Sequence, residues 1–202
     1  MEDNFWDQRY KKSFESYGKE PNLFFKEIID GRKPGKILLP AEGEGRNAVY
    51  AAKKGWEIDA FDSSKIARDN ALHLAKENEV SINYTLKDFE GFQDKPNHYD
   101  LIALIFVHMP ASLQKSLFDN LITSLKPDGE LMMEVFSLEQ LHYGTGGPPN
   151  PDLLYTEDAL GNLLQQLKIQ LLEKKEVHLQ EGQYHEGTAS VIRVIAQKLF
   201  RT

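Results

Sequence analysis

The chain contains no cysteine, so a disulfide framework, a thiolate nucleophile and a cysteine-based zinc site are excluded. No stretch approaches the roughly 20 apolar residues that a membrane-spanning helix needs. Met1-Glu2-Asp3-Asn4 lacks the basic-then-apolar pattern of a secretion signal, so the expectation is a cytoplasmic protein with no membrane partner. The sequon Asn83-Tyr84-Thr85 carries little weight without such a signal. Positive charge is scarce: 24 Lys and Arg stand against 31 Asp and Glu, for a net charge of −7, and no Lys/Arg cluster stands out. A phosphate backbone would be repelled on average, so the expected partner is a small molecule and not nucleic acid. His73, His98, His108, His142, His178 and His185 show no metal-ligand spacing, and no metal is expected.

What is present is an ordinary globular composition, 41% hydrophobic and 27% charged over 202 residues, enough for one well-buried domain spanning 1–202. There is no internal repeat and no low-complexity linker. Short β-rich apolar runs alternate with helical patterns, which predicts an α/β fold around a mostly parallel sheet. Strands are read at Lys36 to Leu39, Glu57 to Phe61, Ile82 to Leu86, Tyr99 to Phe106 and Glu130 to Phe136. The Tyr99 run is almost wholly apolar and reads as buried on both faces. Helices are read from about Arg46 to Lys54, then with Ser63 or Ser64 as cap and Ala67, Ala71, Leu74 and Ala75 on one face. Leu113, Leu117, Leu121 and Leu125 mark a further amphipathic helix, and Lys126-Pro127-Asp128-Gly129 a turn. A loop near Leu141 to Leu154, a helix with Leu160, Leu163, Leu164 and Leu167, and two closing strands near Ile169 to Leu179 and Thr188 to Lys198 complete the reading.

Gly43-Glu44-Gly45-Arg46-Asn47-Ala48 lies between the first strand and its helix. Glycine there lets the backbone turn tightly and approach a ligand, and the helix N-terminus offers free N–H groups. Asp62 ends the second strand, placing a carboxylate where ribose hydroxyls can donate to it. Glycine turn, helix, strand and acid together describe a nucleoside cofactor site. Gly43, Gly45 and Ala48 also satisfy the dinucleotide fingerprint, so this motif alone leaves a nicotinamide cofactor and S-adenosylmethionine both open.

Ile37-Leu38-Leu39-Pro40-Ala41-Glu42-Gly43-Glu44-Gly45-Arg46-Asn47 resembles the first motif of class I S-adenosylmethionine-dependent methyltransferases. Its Gly-Glu-Gly-Arg-Asn core is similar to the branch containing tellurite-resistance methyltransferases, with thiopurine methyltransferases more distant. Phe5-Trp6-Asp7-Gln8-Arg9-Tyr10, Tyr17-Gly18-Lys19-Glu20-Pro21-Asn22, the Leu125 to Leu131 segment and Gly144-Thr145-Gly146-Gly147-Pro148 extend the resemblance along nearly the whole chain. It implies a Rossmann-like seven-stranded, mostly parallel sheet with a C-terminal antiparallel hairpin and helices on both faces. Residues 1–30 would form a lid and 31–202 the core. The chain departs from the motif where Leu39 replaces an acid, Ala41 a glycine, and Glu42 a small residue or cysteine. Glu42 either takes over the missing acid's work, contacting the methionyl ammonium, or is a solvent-facing turn residue.

The resemblance implies that Asp88 accepts from the adenine amino group, that Phe89 covers the ring, and that Phe106 flanks adenosine and the methyl donor. Glu42, Gly43, Gly45, Asp62, Ser63, Asp88, Phe89 and Phe106 are therefore the expected S-adenosylmethionine-binding residues. For Asp88 the plainer alternative is a loop acid, for Phe106 a core residue. His108, at the carboxyl edge of the sheet, and His185, which resembles a position directed into the substrate cavity, are the candidate catalytic residues. A structural histidine is the alternative for each. Arg193, in an apolar strand, either orients an anionic substrate or points to solvent. Trp6, Tyr10 and Tyr17 pack a short helix on the core, fold over the cofactor, or both. The expected enzyme is a methyltransferase for a small-molecule acceptor, monomeric or homodimeric. A nicotinamide-dependent oxidoreductase and a non-catalytic S-adenosylmethionine-binding protein are the rivals.

Overall fold

The computed structural model describes residues 5–12 and 15–199. They fall into two compact units, one of residues up to Asp88 together with Gln180–His185, the other of Phe89–Leu179 and the residues from Glu186 on.

The first unit is built on three parallel strands: β1 (Lys36–Pro40), β2 (Glu57–Asp62) and β3 (Asn83–Leu86). In β1 the run Ile37, Leu38 and Leu39 is buried on both faces, as a central parallel strand requires. Four helices accompany them: α1 (Phe5–Lys12), α2 (Leu23–Asp30), α3 (Arg46–Lys53) and α4 (Lys65–Glu77). The Asn22 side chain caps α2 by accepting from the Phe25 N–H. Ser64 caps α4 by accepting from the Ala67 N–H, and Ala67, Ala71, Leu74 and Ala75 form its buried stripe. The small side chains of that stripe let α3 come close. A Cβ on Gly45 would lie 2.7 Å from the Ala71 Cβ, and its φ of +87° is itself a glycine conformation.

The second unit contains β4 (Tyr99–Ile105), α5 (Ala111–Ser124), β5 (Leu125–Phe136), α6 (Glu157–Leu163), β6 (Lys168–Gln180) and β7 (Glu186–Gln197). β4 and β5 are parallel, and β5 and β7 antiparallel. The Lys126 to Gly129 turn lies within the bounds of β5, where the register with β4 jumps between Tyr99 and Leu101. Its Asp128 takes φ +64°. Two short 3₁₀ turns, Leu138–His142 and Pro151–Leu153, interrupt the loop between β5 and α6. β6 is exposed along most of its length and carries Glu173, Lys174, Lys175 and Glu176, charges that discourage pairing at a sheet edge.

All seven strands form one sheet in the order β3-β2-β1-β4-β5-β7-β6, the Rossmann-like arrangement with an antiparallel C-terminal end that the sequence led us to expect. No described helix is long and apolar enough to cross a membrane.

Candidate cofactor site

Three residues of the β1–α3 turn take positive φ: Ala41 at +50°, Gly43 at +67° and Gly45 at +87°. Ala41 holds a left-handed conformation where the resembling motif has glycine, a strain of about 1–2 kcal/mol that glycine would relieve. Asp62, at the end of β2, is buried and binds this turn directly. Its Oδ2 accepts from the Gly43 N–H at 3.1 Å and its Oδ1 from the Ser64 N–H at 2.8 Å. Burial pushes its carboxyl pKa up, against the pull of the N–H groups of Ser64, Gly43 and Ser63. A carboxylate has about four lone-pair sites, so acceptor capacity remains for ribose hydroxyls. The Tyr84 hydroxyl on β3 closes the turn from the far side, donating to the Gly43 carbonyl at 2.7 Å. Asp88 lies exposed two residues past β3.

Glu42 departs from the solvent-facing reading of its sequence position. It is half-buried, and its Oε1 accepts from the Ala48 N–H at 2.7 Å. Gly45, the N-cap of α3, offers no side-chain bond, so the Glu42 carboxylate caps the helix in its place. The solvent-facing alternative is thereby corrected. Burial pushes its pKa up to about 7, although the Ala48 N–H and Arg46 oppose the rise.

The rest of the Gly-Glu-Gly-Arg-Asn core turns towards the N-terminal segment. Glu44 accepts from the Glu15 and Ser16 N–H groups at 3.0 and 2.7 Å, and from the Asn70 side chain. Arg46 donates to the Tyr17 carbonyl, and Asn47 Oδ1 accepts from the Asn22 N–H. Tyr10 on α1 is buried against the turn itself: a Cβ on Gly43 would lie 2.8 Å from its hydroxyl. Ser64 Oγ donates to Asp7 Oδ1 at 2.5 Å, fixing α1 to the start of α4. These anchoring roles are absent from the sequence reading, because each joins positions remote in the chain.

Arg46 also reaches the Gln180–His185 turn, donating to Glu181 Oε2 at 2.6 Å with both side chains buried. The Asn22 amide donates to Glu181 Oε1 at 2.9 Å. Arg46 and its bonds hold the Glu181 carboxyl down at about 2 despite burial. His185 is buried beside this pair, its Nδ1 3.8 Å from Glu181 Oε2 and its ring 4.7 Å from that of Tyr17. Burial lowers its pKa.

In the second unit Phe106 follows β4 with φ +53°, a strained conformation for an aromatic residue, and stacks on Phe136 at 4.6 Å. Phe89 is half-buried in the segment before β4. His108 Nδ1 lies 2.8 Å from the Leu153 carbonyl, and its Nε2 accepts from the Phe136 N–H at 3.4 Å. Those partners select the neutral ring with its proton on Nδ1 and engage both nitrogens with backbone. His108 thus ties the end of β4 to β5 and to the Pro151–Leu153 turn. Arg193 does not simply face solvent: its Nε donates to the buried Glu134 at 2.6 Å across the β5–β7 pair.

The first-unit turn fits an S-adenosyl cofactor by one feature of its donor set, a buried carboxylate at the end of β2 that keeps acceptor capacity beside the glycine turn. A family model for a methyltransferase domain matches residues 37–129. A ubiquinone biosynthesis O-methyltransferase of Rickettsia akari (strain Hartford) is 25% identical over 111 residues, which are 55% of this chain and 44% of that protein. The chain thus matches less than half the length of that relative. TehB from Haemophilus influenzae is similar in structure at 14% identity and a TM-score of 0.75, over 96% of this chain and 67% of that one. An S-adenosylmethionine-dependent methyltransferase from Methanosarcina mazei matches at 16% identity and a TM-score of 0.70, over 90% of this chain and all of that one. At such identities the structural likeness speaks to fold alone. Residues 37–129, which contain the glycine turn, Asp62 and Asp88, are thus similar to a methyltransferase domain.

Proposed function

We propose that the chain transfers the methyl group of S-adenosylmethionine in line to a small-molecule acceptor. The observation that carries this reading is Asp62: it ends β2, accepts from the Gly43 N–H, and keeps acceptor capacity for a ribose. Glu42, Gly43, Gly45, Asp62 and Ser63 would hold the donor with Asp88, Phe89 and Phe106, in a single domain over 1–202 whose first 30 residues act as a lid. The antiparallel β7, set between β5 and β6, argues against a dinucleotide fold, whose sheet ends in parallel strands.

Bound S-adenosylmethionine supplies an already activated methyl group, so what the protein must provide is alignment in a dry site. Tyr10 and the segment anchored by Glu44 and Asn47 exclude water from the turn. His108 serves as a positioning residue, since both its nitrogens are bound to backbone. His185 is the candidate to take the acceptor's proton, being buried and biased towards the neutral form. The acceptor is a small oxygen, sulfur or nitrogen nucleophile, oxygen being favoured by the O-methyltransferase relative. Cytoplasmic location and a monomer or homodimer complete the proposal.

A thermal-shift panel tests it, because a ligand that binds only the folded state raises the melting temperature. S-adenosylmethionine and S-adenosylhomocysteine should each raise it, and NAD and NADP should not. A shift with NAD or NADP alone would replace this reading with an oxidoreductase. Stabilisation by S-adenosylhomocysteine with no methylation of any oxygen, sulfur or nitrogen acceptor tried would favour a binding protein.

A further inference from the structure

Residues 15–22 run between two parts of the first unit. On one side lies the glycine turn: Glu44 accepts from the Glu15 and Ser16 N–H groups, and Asn47 Oδ1 from the Asn22 N–H. On the other lies the Gln180–His185 turn, closed by the Glu181 N–H on the His185 carbonyl at 2.8 Å and the His185 N–H on the Gly182 carbonyl at 3.3 Å. Here the two backbones touch. A Cβ on Gly182 would lie 2.6 Å from the Gly18 nitrogen and 2.7 Å from the Ser16 oxygen. A Cβ on Gly18 would in turn lie 3.3 Å from the Gly182 nitrogen. With no side chain between them to yield, this contact is either made or lost. Charge closes the same gap. Glu181 Oε2 accepts from Arg46 at 2.6 Å and its Oε1 from the Asn22 amide at 2.9 Å, while Arg46 also donates to the Tyr17 carbonyl at 3.0 Å. Both charges are buried, so parting them would leave each unpaired. The Tyr17 ring lies 4.7 Å from that of His185 and 5.8 Å from that of Tyr184.

We infer that the Gln180–His185 turn is a clasp: it holds residues 15–22 shut on the glycine turn, and its release limits how fast a molecule bound there exchanges. The second half of this inference rests on the donor assignment under the proposed function; the first half does not. Glu181 bonds both the segment, through Asn22, and Arg46, which itself bonds the segment at Tyr17, so the clasp opens in one step rather than bond by bond. Glu181 and Gly182 act by position: they set how often the segment opens, without touching the bound molecule.

The test is amide hydrogen exchange on the full chain, which reports local opening. The amides to follow are those of Ser16, Gly18 and Asn22, bonded to Glu44, Glu15 and Asn47. Gly182→Ala forces the backbones apart and should speed their exchange about 10-fold or more, with β1 and β2 unchanged. Gly91→Ala is the control. Its φ is +66° against +72° at Gly182, but nothing lies within 4 Å of its Cβ, and those amides should exchange as in wild type. Glu181→Gln keeps the size and loses the charge, and should speed the same amides ahead of β1 and β2. Release of S-adenosylhomocysteine in stopped flow should quicken with the amides in both variants. Wild-type amides without protection, or variants that leave them unchanged or speed β1 and β2 equally, would overturn the clasp. Faster amides with unchanged release would overturn its part in exchange. Should Gly182→Ala fail to fold, Glu181→Gln decides. A wild type that binds no S-adenosylhomocysteine, its segment responding as described, would instead overturn the donor assignment.

Discussion

Around Gly43 the first unit gathers carboxylates, Glu42, Glu44 and Asp62, each held by backbone N–H groups. At the ends of β4 and β5 the second unit gathers rings, with Phe106 stacked on Phe136, and His108 against both Phe136 and Tyr155. The charged region keeps its shape because each carboxylate fastens a different part of it. Glu42 caps α3, Glu44 fastens the 15–16 backbone, and Asp62 joins the glycine turn to α4. The aromatic region has almost no charge to satisfy, and His108 meets its needs from two backbone groups. The first region should therefore respond to charge and pH, the second to shape.

The largest effect is expected where the first region holds a buried ion pair. Arg46→Ala would strand Glu181 in the interior and should cost about 3–5 kcal/mol in urea unfolding. The double variant Arg46→Met with Glu181→Leu should recover most of that loss, because neither charge is then left unpaired. A cost for Arg46→Ala below about 1 kcal/mol would remove the distinction between the regions.

Glu42 gives a smaller effect with a definite sign. Its pKa stands at about 7 in the fold against an ordinary value of 4.5, so between those values the folded chain keeps a proton that the unfolded chain has lost. Its contribution to stability is therefore intact below about 4.5 and lost as pH rises through 7. Gln keeps an oxygen for the Ala48 N–H and does not ionise. Glu42→Gln should be about 1–2 kcal/mol more stable than wild type at about pH 8 and equal to it near about pH 4, by melting across pH. A stability difference independent of pH would show that the carboxylate is not buried as described.

The smallest effect belongs to the aromatic region. The Tyr155 hydroxyl is buried and has no hydrogen-bond partner among the described residues. Removing a polar group that satisfies nothing is close to neutral, so Tyr155→Phe should leave stability unchanged or raise it by up to about 1 kcal/mol. A loss above about 1 kcal/mol would mean that this region, too, depends on polar bonds.

Much of the first region was legible in the sequence because its signals are local. The stripe Ala67, Ala71, Leu74 and Ala75 is a helical period, and Asp62 stands at the end of an apolar run. Ser63 and Ser64 were interchangeable as cap candidates until geometry chose Ser64. The Arg46–Glu181 pair joins positions 135 apart, and no local pattern announces such a partner. Arg46, on a helix that continues with Ala48, Val49 and Ala51, did carry one signal: a charge on a helix face of that kind needs a buried acid somewhere. The capping role of Glu42 was hidden because a carboxylate beside a glycine turn suggests a ligand or solvent, whereas the missing side-chain cap at Gly45 gives it a structural partner. The partner of Arg193 was hidden for a similar reason, its acid lying on a neighbouring strand. His108 was correctly placed at a strand end, but backbone partners are invisible to residue type, and they fix what its nitrogens do.

The central claim is that Asp62 makes the β1–α3 turn an S-adenosylmethionine site. Titration calorimetry of S-adenosylmethionine on Asp62→Asn tests it most directly, since the amide keeps the volume and loses the charged acceptor. The account predicts affinity about 10- to 100-fold weaker than wild type, the loss expected when hydrogen bonds to a charged group are weakened. Unchanged affinity in a folded Asp62→Asn protein would contradict it.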